Sequence, residues 1–328
     1  VPETIDDWQN MLTRFKDEKG SSSPLLYIDT NLAETGFISG AFGEKFDYYL
    51  KDGKVTYGPA NPGWKDFLQL MNKWYAGDLI DKDIATLDAT TKQQKIISGR
   101  NGAFLGSGGE LGTFIPLIAD VDPKAKFVGV PYPVLEKGQK PEFGIADTNY
   151  RGTMSTAISA KCSDVELAAK FMDYFYSDEG RLFANFGIEG VTYNMVNGEP
   201  KLTDMVLSAQ NINQKVDEYA IAEFSVIDKR LYDQTLIYEE QPKALKVWGE
   251  TNAQAHVLPV LLPTEEEANE MAKYTTEIST YAKEMYIKYM VGSERLDTFD
   301  TYVEHLNELG LQEVLNCYQE IYERYQKR

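Results

Sequence analysis

Two histidines, His256 and His305, and two cysteines, Cys162 and Cys317, are the side chains here best suited to hold a metal or run nucleophilic chemistry. Neither histidine has a partner at ligand spacing, and neither cysteine belongs to a CxxC or a Cys/His cluster. A zinc site needs clustered ligands, and a Ser-His-Asp triad needs a histidine near a nucleophile elbow, so neither chemistry has a starting point in this pattern. His305 falls within a helical pattern and reads as a surface or boundary residue. Glycines stand at 106, 108, 109 and 112 in GSGGELG. Leu111 sits where a dinucleotide fingerprint needs glycine, and no Gly-Lys-Ser/Thr closes the run as a P-loop would. The stretch reads instead as a loop ahead of a helix N-terminus, where backbone approaches either a ligand or a neighbouring strand.

Glycoside hydrolysis needs only two placed carboxylates, and with 51 acidic residues chance pairs are inevitable. Most lie on helical faces such as EEEANE and read as solvated. The 21 tyrosines and 4 tryptophans say more. A flat apolar ring face stacks on a sugar while its polar edge hydrogen-bonds. Trp8, Trp64 and Trp74 fall on apolar helix faces and are expected in the core. Tyr150, Tyr193 and Trp248 lie in less regular contexts and are the cleft candidates.

These groups need elements to position them. The chain has 328 residues, 43% hydrophobic and 26% charged, enough for two domains or one large α/β unit. A net charge of −18 repels phosphate backbones and anionic membrane surfaces. Two widely spaced cysteines read as buried thiols and leave the redox compartment open. No apolar run is long enough to span a membrane. The first residue is Val1 and no signal peptide precedes it, so an upstream segment is expected to have been removed.

The spacing predicts a helix after Thr4, capped by T-x-x-D with Asp7, and a buried strand at Leu25–Ile28. A hairpin is expected around Asp52-Gly53, helices at about 62–75 and 90–98, and strands at 102–105 and 127–130. The polar GIADTNYRG segment, 144–152, reads as a crossover. Beyond it come a strand at 154–159, a helix capped by Ser163 and Glu166, a short GRLFANF helix and an Asn197-Gly198 turn. Thr264 is expected to cap a helical run of about 27 residues, followed by helices at about 296–309 and 311–325. Strands alternating with helices argue an α/β layer architecture.

Taken together, several segments give the chain a family likeness. PETIDDWQNMLTRFK, DGKVTYGPANPGWKDFLQLMNKWYAGDLIDKD and GRNGAFLGSGGELGTF belong to it, as do ISAKCSDVELAAKFMDYFYSDEGRLFANFGIEGVTYN and LPTEEEANEMAKYTTEISTYAKEMYIKYMVG. The chain resembles extracellular solute-binding proteins of family 1, in their ABC-transporter sugar-binding lipoprotein branch. The resemblance implies an α/β, periplasmic-binding-protein-like type II fold with two lobes. Here it implies mostly the second lobe plus C-terminal helices, with most of the N-terminal lobe lacking. Residues 1–148 would be the second lobe, 149–200 the hinge crossover and what remains of the first, and 201–328 a mainly helical region packing on both.

Carried over by position, the ligand-facing candidates are Asp29 and Asn31 after the strand, then Ser107, Gly108 and Glu110 in the glycine loop. Asp147, Asn149 and Arg151 in the crossover and Tyr193 after the GIEG turn complete the set. Carboxylates and amides pair with sugar hydroxyls, and strand-end loops line the crevice of open α/β sheets. The implied function is capture of a carbohydrate, an oligosaccharide above all, for an ABC permease. No catalytic residue, metal or cofactor is expected. The implied place is the extracellular face of the membrane, lipid-anchored through an N-terminal segment absent from this chain. A fragment lacking one wall of its cleft would bind weakly or not at all. A peptide or other solute stays open, since Arg151 could pair a carboxylate, and a glycoside-processing enzyme is the remaining alternative.

Overall fold

The computed structural model describes residues 1–146, 156–209, 211–221 and 228–327. Contacts divide the chain into two compact units: Val1–Gly106, Leu117–Asp147 and Lys243–Arg328 form the first, and Ser107–Pro116 with Thr148–Pro242 form the second.

The first unit opens with α1, Ile5–Lys19, whose start is the expected capping box: Thr4 Oγ1 accepts from the Asp7 amide at 3.1 Å, and the Asp7 carboxylate accepts from the Thr4 amide at 3.2 Å. Strand β1, Ser23–Leu26, follows, and then the short helix α2, Asn31–Glu34. The hairpin is present as β2, Tyr48–Lys51, and β3, Lys54–Tyr57, turning through Asp52 and Gly53, both at positive φ. Helices α3, Pro62–Ala76, and α4, Ala89–Ile97, precede strand β4, Asn101–Phe104. β1 and β4 pair in parallel with Leu25 opposite Ala103, and Leu25 also bridges Ile80 in parallel on its other side. All four β1 residues are buried, as a parallel strand covered on both faces requires.

Helix α5, Gly108–Ala119, follows β4. The strand expected at 127–130 does not form. Its groups are engaged by residues 244–248 instead: Trp248 Nε1 donates to the Val130 carbonyl at 3.1 Å, and a Cβ on Gly129 would lie 2.4 Å from that of Ala244.

In the second unit, helix α6, Val165–Tyr174, is capped by Asp164, whose Oδ1 accepts from the Leu167 amide at 2.8 Å. The expected Ser163–Glu166 box does not form; the cap falls one residue later, on a carboxylate that carries charge toward the positive helix end. α7, Asp178–Phe186, leads to the hairpin β5, Tyr193–Val196, and β6, Glu199–Leu202, turning at Asn197-Gly198. The strand expected at 154–159 falls partly outside the described residues; residues 156–159 pair with nothing in a ladder. Short helices α8, Asp204–Leu207, α9, Ile212–Asp217, and α10, Lys229–Thr235, complete the unit around Phe186, Tyr193, Leu202, Val206, Ile212 and Val216. α6 buries none of its side chains; Leu167 and Phe171 are 63% and 56% exposed.

The chain returns to the first unit along α11, Glu240–Gly249, and ends in α12, Glu265–Ala272, α13, Thr275–Val291, α14, Phe299–Glu308, and α15, Leu311–Gln326. The long run expected from Thr264 is therefore two helices. Tightened i→i−3 bonds from Lys273 and Tyr274 close the first, and the Tyr274 ring then packs onto Gly310, where a Cβ would sit 2.4 Å from Cδ1. Trp8, Trp64 and Trp74 are core, as their helix faces imply. α13 crosses α3, with Phe67 and Tyr286 stacked at 6.0 Å and Asn72 donating to the Tyr289 carbonyl at 2.9 Å. Cys162 and Cys317 are both free, half-buried thiols.

Phe143 wedges against Gly36, whose φ of +69° already requires glycine and whose added Cβ would lie 2.5 Å from that of Phe143. Gly36→Ala is expected to cost about 2–4 kcal/mol in denaturant melts, from overpacking plus the left-handed backbone. Glu267 caps α12 and receives both Arg324 nitrogens, at 2.6 and 2.7 Å, which hold its carboxyl down to about 2. A folded value below the unfolded one means the stabilisation is complete above about pH 4.5 and fades toward pH 2. Glu267→Gln should lower Tm at pH 7 by about 2 °C, and its gap from the parent should close on acidification.

Candidate functional site

The site is built from the end of β1. Leu25 is locked on both sides by the parallel pairings and Leu26 on one, and Tyr27 is fixed by its hydroxyl, 3.0 Å from that of Tyr286 and 3.1 Å from Met290 Sδ. Burial drives the Tyr27 phenol well above its ordinary value, so it stays neutral and hydrogen-bonded. The chain then turns. Asp29 takes φ of +45°, a left-handed conformation that costs an L-residue free energy and that Asp and Asn tolerate best. Thr30 is fully buried and its Oγ1 donates to Glu34 Oε1 at 2.5 Å. Asn31 opens α2 with its amide on the Ile28 carbonyl at 3.0 Å and its side chain exposed. Asp29 and Asn31 are thus brought together beyond the carboxyl end of a parallel strand, where open α/β sheets place ligands. The Asp29 side chain is half exposed, and Lys283 of α13 stands 4.0 Å away.

In the other unit, Ser107 and Glu110 cap one another: the Ser107 amide donates to Glu110 Oε2 at 2.9 Å and the Glu110 amide to Ser107 Oγ at 3.2 Å. Gly112 is a close-approach position, and what approaches is Gln241, whose Nε2 would lie 2.9 Å from a Cβ there and donates to the Gly108 carbonyl at 2.8 Å. Tyr193 stands 6% exposed in the core of the second unit, its ring 5.6 Å from Phe186 and its phenol raised by burial. Trp248, also a cleft candidate, is half-buried against the first core. Asp147, Asn149, Tyr150 and Arg151 lie outside the described residues.

His256 has a local role. One ring nitrogen lies 2.8 Å from the Leu50 carbonyl and the other 2.8 Å from Glu142 Oε2, and that hydrogen bond lowers the Glu142 carboxyl from its ordinary range. Asn252 adds a bond from its amide to the Pro141 carbonyl at 2.7 Å. These contacts stitch residues 141–144 to 252–256. His305 is exposed and pairs with Glu308 at 2.9 Å. Among the described residues no group of three His, Cys, Asp or Glu could hold a metal, and no helix is long and apolar enough to cross a membrane. Sequence reading missed Thr30, Glu34 and Lys283. Glu34 could have been found, four residues after a buried threonine; Lys283 could not, since only the tertiary fold brings α13 to this loop.

Known structures with this arrangement of strands and helices are type II, periplasmic-binding-protein-like sugar-binding proteins. Alginate-binding protein AlgQ2 is 24% identical, with a TM-score of 0.79 over 98% of this chain and 68% of its own. An HMO binding, ABC-transporter associated solute binding protein from Bifidobacterium longum infantis is 18% identical, with a TM-score of 0.74 over 99% and 70%. At the level of sequence, residues 2–182 match the model for bacterial extracellular solute-binding proteins, and the chain belongs to that family. Lipoprotein LipO of Bacillus subtilis is 21% identical over 339 residues, 98% of this chain. The chain spans 66% of LipO's length.

Asp29→Gly removes the carboxylate and relieves a left-handed residue. Thermal melts should show it at least as stable as the parent, by up to about 1 kcal/mol. A clear loss of stability would mean that the carboxylate holds the fold together rather than facing solute.

Proposed function

We propose that this chain is the solute-capturing part of the substrate-binding component of an ABC importer, and that its solute is a carbohydrate, above all an oligosaccharide, handed to a membrane permease. The observation that carries the reading is Asp29. It is a half-exposed carboxylate, held in a left-handed turn beside Asn31 at the carboxyl end of a parallel strand, in a chain of this family. Such turns cluster at ligand clamps. The family description favours an extracellular position, and likeness to LipO favours a lipid anchor. Solved proteins of similar fold are described with alginate, HMO and, for FusA of S. pneumoniae, kestose, which favours a sugar over a peptide.

In this reading Asp29, Asn31, Ser107, Gly108, Glu110, Asp147, Asn149, Arg151 and Tyr193 are the ligand-facing set. Tyr193 and the mutually capped Ser107 and Glu110 would need to rearrange to contribute. Residues 1–148 represent the second lobe, 149–200 the crossover and part of the first. The contact grouping of Lys243–Arg328 with the opening stretch favours adding those helices to the second lobe. The protein binds without turning its solute over.

A thermal-shift screen of oligosaccharides against short peptides tests the reading. At a concentration of about 100 Kd the true solute should add roughly 2.7 kcal/mol of stability. Stabilisation by peptides alone overturns the sugar assignment. Turnover of chromogenic glycosides overturns the non-enzymatic one.

A further inference from the structure

We infer that Lys283 is a positioning residue for Asp29, aiming the carboxylate at solute without touching the solute itself; the inference rests on the reading that Asp29 faces a carbohydrate. The geometry is a relay from core to surface. Tyr286 of α13 grips Tyr27 at 3.0 Å, which fixes α13 against the end of β1. Lys283 lies three residues earlier on the same helix, one turn along the same face, and so reaches the loop that leaves β1. Its ammonium stands 3.6 Å from Glu34 Oε1 and 4.0 Å from Asp29 Oδ2. Glu34 Oε1 is fixed in turn by the fully buried Thr30 hydroxyl at 2.5 Å.

The Thr30 bond assigns different work to the two acids. Glu34 is held by that hydroxyl, so it anchors the lysine. Both acids lie beyond ordinary hydrogen-bond reach of the ammonium, and each feels it as a charge. The Asp29 oxygens keep acceptor capacity while the nearby positive charge biases the side chain toward one orientation. A carboxylate oriented before binding loses less freedom when it accepts from sugar hydroxyls. Lys283 itself is spent between two acids.

The experiment is calorimetric titration of the chain with a panel that includes kestose and alginate oligomers, using the member that saturates. Lys283→Met should weaken binding about three- to fivefold, in line with an exposed pair, with Tm unmoved. Lys283→Arg should restore most of the affinity. In an Asp29→Asn background Lys283→Met should add little, because its effect passes through Asp29. Equal losses in both backgrounds overturn the positioning role and make Lys283 a direct contact. Affinity unchanged by Lys283→Met but lost in Asp29→Asn overturns the inference alone. Affinity unchanged by Asp29→Asn overturns the assignment of Asp29 on which it rests.

Discussion

The first unit depends on the pairing of Ser23–Leu26 with Asn101–Phe104. A parallel pair cannot be closed by a tight turn, so the chain between must make a crossover, and that crossover is the hairpin, α3 and α4. Everything else takes its position from this pair. α1 lies over it, with Phe15 against Gly102, where an added Cβ would lie 2.4 Å from the ring. Asp81, on the segment bridged to Leu25, is buried and would be raised by that burial. Bonds from Lys95 at 2.8 Å and Ser23 at 2.5 Å outweigh it and hold the carboxyl low. A register shift of the strand would take the Ser23 hydroxyl away from that buried carboxylate, which is costly.

Much of this was legible because local chemistry and tertiary need agree. Thr4 and Asp7 make the box their spacing announces, Asp52-Gly53 and Asn197-Gly198 turn as such pairs do, and the tryptophans of α1 and α3 are buried where their faces predict. The failures have tertiary causes. Residues 127–130 carry strand-forming side chains, but their groups are taken by Trp248 and Ala244 from more than 110 residues away. The run after Thr264 keeps helical periodicity through a break imposed by Tyr274 meeting Gly310. Neither partner is visible in a window of ten or twenty residues.

The candidate site was legible in the same uneven way. Asp29 and Asn31 lie just past the end of an apolar strand, as the sequence order places them. The helix expected after the glycine loop begins within it, at Gly108, and Gly112 makes room for Gln241, a partner no spacing rule reports. Tyr193 was chosen for its irregular surroundings and proves to be core, since a hairpin start can be as enclosed as a helix face. Thr30 shows the converse: a polar residue inside the fold whose one hydrogen bond organises the charged groups above it.

All four tryptophans, Trp8, Trp64, Trp74 and Trp248, belong to the first unit, and the second has tyrosine and phenylalanine alone. Light absorbed only by indole therefore reports on one body and is blind to the other. Far-ultraviolet ellipticity counts the helices of both. If the two bodies melt separately, emission and ellipticity will trace different curves from a single sample, so this chain carries a built-in optical label for the unfolding of its larger body.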